Sequence, residues 1–237
     1  MKKLFLAVAA LLSLNLVSQE NYTIKMSVKV EGLPEEYAGM AENDIVTYMK
    51  GEKSKMELTS MMMTQVSLND GEKTTTLMEQ MGNKTGWVVT KAEAEAEEKE
   101  SADKKGKTKP KIEYVEEKKT IAGYECSKAI VTTTTKDKKE QKTIVWYTDK
   151  IKQPSSTGAK SGRRGGMMGG ADLSEIKGFP MQTEMSMNNQ GMEMKVISTV
   201  TEVSTSPIED KVFTIDTEGY KLMSYKELKE SMKAQQE

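Results

Sequence analysis

The sequence predicts a mainly β protein, an antiparallel sheet with roughly two or three short helices, and three observations carry that reading. Apolar and polar residues alternate with period two over most of the chain. Short turn-forming clusters separate the alternating runs, too close together for the crossover that a parallel pair needs. The composition, 36% hydrophobic and 30% charged with only 5% aromatic, supplies a lean core for a single domain.

The first residues are read as an address. Lys2 and Lys3 precede an apolar run from Leu4 to Leu14, which is shorter than the roughly twenty residues of a membrane span but fits a signal core. Cleavage is expected after Ser18, where Leu-Val-Ser ends in a small residue. Removing residues 1–18 takes out Lys2 and Lys3 and no acid, so the formal charge moves from −1 to −3. No Cys follows the run to carry a lipid, and no later stretch reaches membrane-spanning length. A periplasmic or secreted protein without a stable membrane span is expected, with residues 19–237 forming one β-rich domain.

Tyr22, Ile24, Met26, Val28 and Val30 share one parity of the first strand, with polar residues on the other. Pro34 opens a short helical stretch to Glu42. Val46 and Tyr48 lead into a turn at Gly51-Glu52, and Met56 and Leu58 lead out. Val66 and Leu68 run into Asn69-Asp70-Gly71, a tight-hairpin signal. Thr74–Met81 and Thr85–Thr90 complete the first group of strands. Residues 91–111 break the pattern as a charged insertion with no apolar stripe, read as a solvated linker or hairpin tip with helical character over Ala92–Lys99.

Strand signals resume at Ile112, Tyr114 and Val115, then over Gly123–Thr135 and Thr143–Thr148. A Gly/Met loop at 154–170 follows, too rich in Gly to hold one conformation unaided. Met181, Met185 and Met187 then share one parity, Asn188-Asn189-Gln190-Gly191 makes a turn, and Met192, Met194 and Val196 return. A turn of that length pairs Met187 with Met192 and Met185 with Met194 as a cross-strand apolar patch. Val212–Ile215 reads as a last strand. Ser224 with Glu227 forms a capping box for a terminal helix presenting Tyr225, Leu228 and Met232 on one face. The apolar face is too extensive for so few helical residues to cover, so the sheet curls on itself or leaves a cavity.

Composition excludes several chemistries. With no His, the usual triads, imidazole-ligated zinc and a switch near neutral pH are absent. The single Cys126 permits neither an intrachain disulfide nor a thiolate cluster, and is read as a small buried hydrophobe. Balanced charge, 35 basic against 36 acidic residues, argues against nucleic acid. Asp44, Asp149, Asp172 and Asp210 lie near strand ends and read as solvated turn residues. Glu93, Glu95, Glu97 and Glu98 lack calcium-loop spacing. No catalytic, cofactor or metal-binding residue is assigned.

Ile121-Ala122-Gly123-Tyr124-Glu125-Cys126, Val145-Trp146-Tyr147-Thr148 and Lys177-Gly178-Phe179-Pro180-Met181 occur in an order that resembles a bacterial family of unknown function, with Phe213 and Gly219-Tyr220-Lys221 as its closing aromatic segment. That family is generally placed with the LolA-like and LppX-like envelope proteins. The resemblance implies a curved antiparallel sheet, an unclosed half-barrel partly plugged by short helices, around a cavity that in the carriers receives lipid or lipoprotein acyl chains.

The excess to be explained is Met, 19 residues against 3 Phe. Three readings stand: core filler in a structural or interaction module, a thioether Cu(I) site at Met61-Met62-Met63 or Met167-Met168, or an adaptable lipid-binding wall. The last is favoured, with Met181, Met185, Met187, Met192, Met194 and Trp146 as its candidate residues and a lipid or acyl chain as the partner.

Overall fold

The computed structural model describes residues 21–104, 110–134, 140–151, 173, 175–189 and 192–234. The signal segment 1–18 and the Gly/Met loop 154–170 lie outside the described residues. In chain order the strands are β1 (Asn21–Glu31), β2 (Asn43–Lys50), β3 (Lys53–Ser60), β4 (Met63–Asn69), β5 (Lys73–Gln80), β6 (Asn83–Thr90), β7 (Lys111–Ile121), β8 (Tyr124–Thr134), β9 (Glu140–Thr148), β10 (Phe179–Asn189), β11 (Met192–Ser204) and β12 (Lys221–Met223). The helices are α1 (Glu35–Ala38), continued by a 3-10 turn to Ala41, α2 (Lys91–Lys104) and α3 (Tyr225–Ala234).

All strands belong to one 12-stranded sheet in the order β12-β6-β5-β4-β3-β2-β1-β11-β10-β9-β8-β7. Two meanders, β1 to β6 and β7 to β11, are therefore joined through the antiparallel pairing of β1 with β11. The outermost strands β12 and β7 do not pair with each other, so the sheet is not closed into a barrel. A twisted sheet of this width curls, and it does so about a face that stays buried across β1, β9, β10 and β11.

The hairpins follow local chemistry. Met81 and Gly82 both have positive φ, as do Ala122 and Gly123, the geometry of a type I′ turn whose twist matches the flanking strands. At the β4–β5 turn the Asn69 side chain accepts from the Gly71 amide at 2.8 Å, and the Asp70 side chain accepts from Glu72 and Lys73 at 3.0 and 2.9 Å.

Three sequence expectations are corrected. Residues 91–104, read as a solvated linker or hairpin tip with helical character over Ala92–Lys99, form a helix throughout, because Thr90 and Glu93 build a reciprocal capping box: the Thr90 amide donates to Glu93 at 2.8 Å, and the Glu93 amide donates to the Thr90 hydroxyl at 3.3 Å. Lys229 on α3 then pairs with Glu97 at 2.8 Å and Glu100 at 3.4 Å, and the Tyr225 hydroxyl donates to Glu97. The segment expected as a last strand at Val212–Ile215 instead contains a 3-10 turn, Asp210–Phe213, that lays Phe213 and Ile208 against Leu68. The short strand there is β12, which runs parallel to β6.

The third correction concerns register. β10 and β11 extend through Asn189 and from Met192, so Met187 pairs with Met194 and Met185 with Val196. The expected pairs, Met187 with Met192 and Met185 with Met194, are displaced by one step of the pleat. Because the shift keeps parity, every side chain stays on its predicted face.

Candidate functional site

Directly opposed residues on neighbouring strands share a face, so the registers assign every strand residue to one side of the sheet. One rung runs Met26, Ile45, Leu58, Gln65, Met78, Thr85 from β1 to β6, and Met26 also opposes Val200 of β11. The next runs Ile24, Thr47, Met56, Ser67, Thr76, Trp87 and on to Met223 of β12. In the other direction Val28 opposes Ser198, which opposes Thr183, which opposes Val145, which opposes Ala129. Val30, Val196, Met185, Thr143 and Val131 make the parallel rung above it. We call this the inner face.

From β1 to β6 and from β9 to β11 the inner face carries no Asp, Glu, Lys or Arg. In a chain that is 30% charged this segregation is a property of the fold. The ionic residues of the same strands sit opposite: Lys25 bonds Glu202 at 2.8 Å and Lys195 bonds Glu184 at 2.7 Å. The inner face is also where methionine collects. Met26, Met49, Met56, Met63, Met78, Met185, Met187, Met194 and Met223 all fall on it by register. Met26, Met49 and Met185 are buried, and the others are half-buried.

Its polar component consists of hydroxyls and amides. Ser67 and Thr76 satisfy each other at 3.0 Å, whereas the buried hydroxyls of Thr143 and Ser198 have no hydrogen-bond partner among the described residues. At the end of β1 to β3 the inner-face residues Val28 and Asn43 reach a cleft of about 440 Å³, whose other walls include Ser27, Lys29, Glu42 and Asp44. Among the described residues, no group of three or more acidic or Cys side chains is placed to hold a metal ion.

The proposed wall is only partly gathered. Met185, Met187 and Met194 lie together on the inner face. Met192 is in register with Asn189, at the start of β11. Met181 occupies the β-bulge between Pro180 and Gln182 and is fully buried in the cluster that contains Ile24, Val200 and Trp146. Trp146 is in register with Gln182 and Lys128, the opposite parity from Met185, and packs in the same buried cluster as Ile24, Val28, Met181 and Val200. There its ring lies under the Lys119 ammonium at 4.2 Å and the Lys128 ammonium at 5.6 Å. Lys119 also bonds Gln182, and burial pushes its ammonium below the ordinary Lys range.

The sequence motifs converge on this part of the sheet. Lys119 opposes Cys126, whose thiol is fully buried, donates to the Tyr124 carbonyl at 3.3 Å, and is pushed upward in pKa by burial. A side chain at Gly178 would collide with the Thr148 carbonyl oxygen, so the Lys-Gly-Phe-Pro segment needs glycine where it meets the Trp-Tyr-Thr strand. Leu173 and Ile176 cover Ala129, Val131 and Val145 of the inner face nearby.

A family model for a domain of unknown function, DUF4412, matches residues 35–218, a span that holds β2 to β11. The chain belongs to the DUF4412 family. No curated protein sequence matches this family member. Among solved structures it is similar to PNGF-II in a C2 crystal form, at 13% identity and a TM-score of 0.45 over 89% of this chain and 32% of that one. The DUF4412 chain thus spans about a third of the length of PNGF-II. It is also similar to an uncharacterized conserved protein from Thermus thermophilus, at 6% identity and a TM-score of 0.43 over 87% of this chain and 91% of that one. A third similar structure is Mycobacterium tuberculosis lipoprotein LppX, at 9% identity and a TM-score of 0.37 over 81% of this chain and 90% of that one.

Proposed function

We propose that this protein is an exported, non-catalytic envelope protein that holds an apolar ligand, a lipid or a lipoprotein acyl chain, against the inner face of the half-barrel. The observation that carries the reading is the absence of any charged residue on that face from β1 to β6 and from β9 to β11. A face that only closed a small core would need no such extent, whereas an acyl chain in contact with it tolerates no unpaired charge along its path. Half-buried methionines suit this role, because unbranched thioethers repack around chains of different length and unsaturation. The wall is assigned to Met185, Met187 and Met194, continued by Met56, Met63 and Met78 on the other side of β1.

Native mass spectrometry of the protein recovered from an exporting host tests the reading. A co-purifying lipid mass, and uptake of a fluorescent fatty acid by the delipidated protein, are expected. A protein that is consistently empty and takes up no fatty acid overturns it in favour of a filled interaction module. Export is tested in the same sample: the mature chain should begin at Gln19, and a recovered chain retaining Lys2 and Lys3 would contradict it.

A further inference from the structure

The two rims of the β1–β6 meander differ in kind. Its hairpins turn alternately at one end and the other, and the registers place the end of β1 at Glu31, the β3–β4 turn at Met61-Met62 and the β5–β6 turn at Met81-Gly82 on one rim. The opposite rim turns through Gly51-Glu52 and Asp70-Gly71-Glu72, both charged. Met61 is 74% exposed and Met81 76%. Tyr37, half exposed on α1 between β1 and β2, stands on the same rim, where a β-carbon at Gly39 would touch the Met61 methyl at 4.0 Å. The other exposed large apolar side chains among the described residues have neighbours: Tyr114 packs edge-on against Tyr147, and Leu222 lies over Gly86.

Local stability does not explain these tips. Met81, at φ 49°, takes the first of the two positive-φ positions of a type I′ turn, for which Asn-Gly is the favoured pair. Ala122, in the same conformation at a turn of the other meander, packs against the core, whereas Met81 projects into solvent. The tips are also equipped to leave water. Ser60 Oγ accepts from the Met62 and Met63 amides at 3.3 and 3.1 Å and donates to the Met63 carbonyl at 3.1 Å, so a neutral hydroxyl satisfies the turn internally, as an apolar medium requires. The β4–β5 turn on the opposite rim relies on the Asp70 carboxylate instead. No charged residue lies within 60–63 or 80–83, and the flanking Glu79 and Lys84 pair at 3.8 Å.

We propose that this rim is a membrane-docking edge, where Met61, Met81 and Tyr37 insert into the interfacial layer of a lipid bilayer. A stable protein partner needs a contiguous patch of roughly 800 Å² on each side. Single unbranched side chains on separate hairpin tips instead enter a lipid layer one by one, and tyrosine suits the headgroup level. The proposal deepens the apolar-ligand reading and rests on it for the cargo: Met63 and Met78 continue inward from the tips on the uncharged inner face, so a lipid leaving the bilayer passes directly onto that face. With a charge of −3 expected for the mature chain, apolar insertion rather than attraction to anionic lipid carries the docking.

Flotation of the exported protein with phosphatidylcholine vesicles tests the proposal, beside uptake of a fluorescent fatty acid from buffer. The wild type should float equally well in low and high salt. Met61→Asn/Met81→Asn should bind the vesicles more weakly by about tenfold for each methionine lost from the lipid layer. Its urea midpoint should stay at or above wild type, because asparagine favours positive φ at residue 81. On the wild type alone, vesicles should shield Met61 and Met81 from sulfoxide formation by dilute hydrogen peroxide, read by peptide mass, so the test does not depend on the variant folding. A wild type that does not float, that floats only with anionic lipid in low salt, or whose two methionines oxidise equally with and without vesicles overturns the docking edge, as does a folded variant that floats like wild type. Fatty-acid uptake by a wild type that does not float leaves the apolar-ligand reading standing and gives the rim to a protein partner. Flotation without uptake supports the docking edge and removes the cargo.

Discussion

Met187 lies directly across from Met194 on the β10–β11 hairpin, both half-buried and both on the uncharged face. The pair sits one pleat repeat beyond Met185 and Val196, on the proposed path of the acyl chain. Replacing Met187 by Lys puts a charge on this path at a position exposed enough for the fold to tolerate it. Uptake of a fluorescent fatty acid should fall to background in Met187→Lys and stay near wild type in Met187→Leu, while the two variants share the wild-type circular dichroism spectrum. Equal uptake by both would move the path elsewhere.

The β6 strand approaches its neighbours closely at Gly86. A β-carbon there would meet Leu77 Cδ2 at 2.7 Å, Leu222 Cδ2 at 2.8 Å and the Thr76 carbonyl oxygen at 2.8 Å. Gly86→Ala should cost about 1–3 kcal/mol by overpacking, read as a lower urea midpoint. Leu222 is one of the three contacts and lies at an exposed position on β12, so adding Leu222→Ala should restore part of the loss. The backbone contact with Thr76 keeps the rescue incomplete.

Asp70 makes stability depend on acid. Burial opposes its charge, but the amides of Lys73 and Glu72 and the Lys73 ammonium outweigh burial and hold the carboxyl below the ordinary carboxylate range. A folded value depressed below the unfolded one of about 3.9 means the stabilisation is complete above that pH and is lost as pH falls through the folded value. Wild type should therefore exceed Asp70→Ala in stability at about pH 6, and the gap should narrow steadily below about pH 4. Denaturation curves at several pH values check this; a gap that widens in acid would reverse the assignment.

Cys126 is fully buried, its thiol bonded to the Tyr124 carbonyl and its pKa raised by burial. Maleimide should label it only as fast as the β7–β8 region opens, and labelling should become rapid once denaturant unfolds the chain. Immediate labelling of the native protein would show that the hairpin does not close over the thiol.

Much of the fold is legible in the residues. The alternation at Tyr22 to Val30, the Asp70-Gly71 turn and the Ser224–Glu227 capping box all appear where the sequence places them. The helix at Lys91–Lys104 is legible only in part, over Ala92–Lys99, because its composition offers no apolar stripe. Its start is nonetheless written in Thr90 and Glu93, the same kind of capping pair as Ser224 and Glu227. Which side of β9 faces inward is not written locally, because β9 is apolar on both parities: Val145 and Tyr147 alternate with Ile144 and Trp146. The β-bulge at Pro180–Gln182, which seats Met181 beside Ile24 and Val200, is likewise fixed by pairing with β9 rather than by local sequence.

The sequence by itself determined that nearly every strand has one parity free of charge, and that methionine favours that parity. Alternation is a property of a single strand, with period two, and needs no partner to be read. Only the tertiary structure decided that these parities all turn to one side of one sheet, because that depends on which strands pair and in what register. The joining of β1 to β11, residues far apart in the chain, merges two separate meanders into a continuous uncharged face. Pairings of that range are selected by matching whole faces against each other, and no segment carries the information alone.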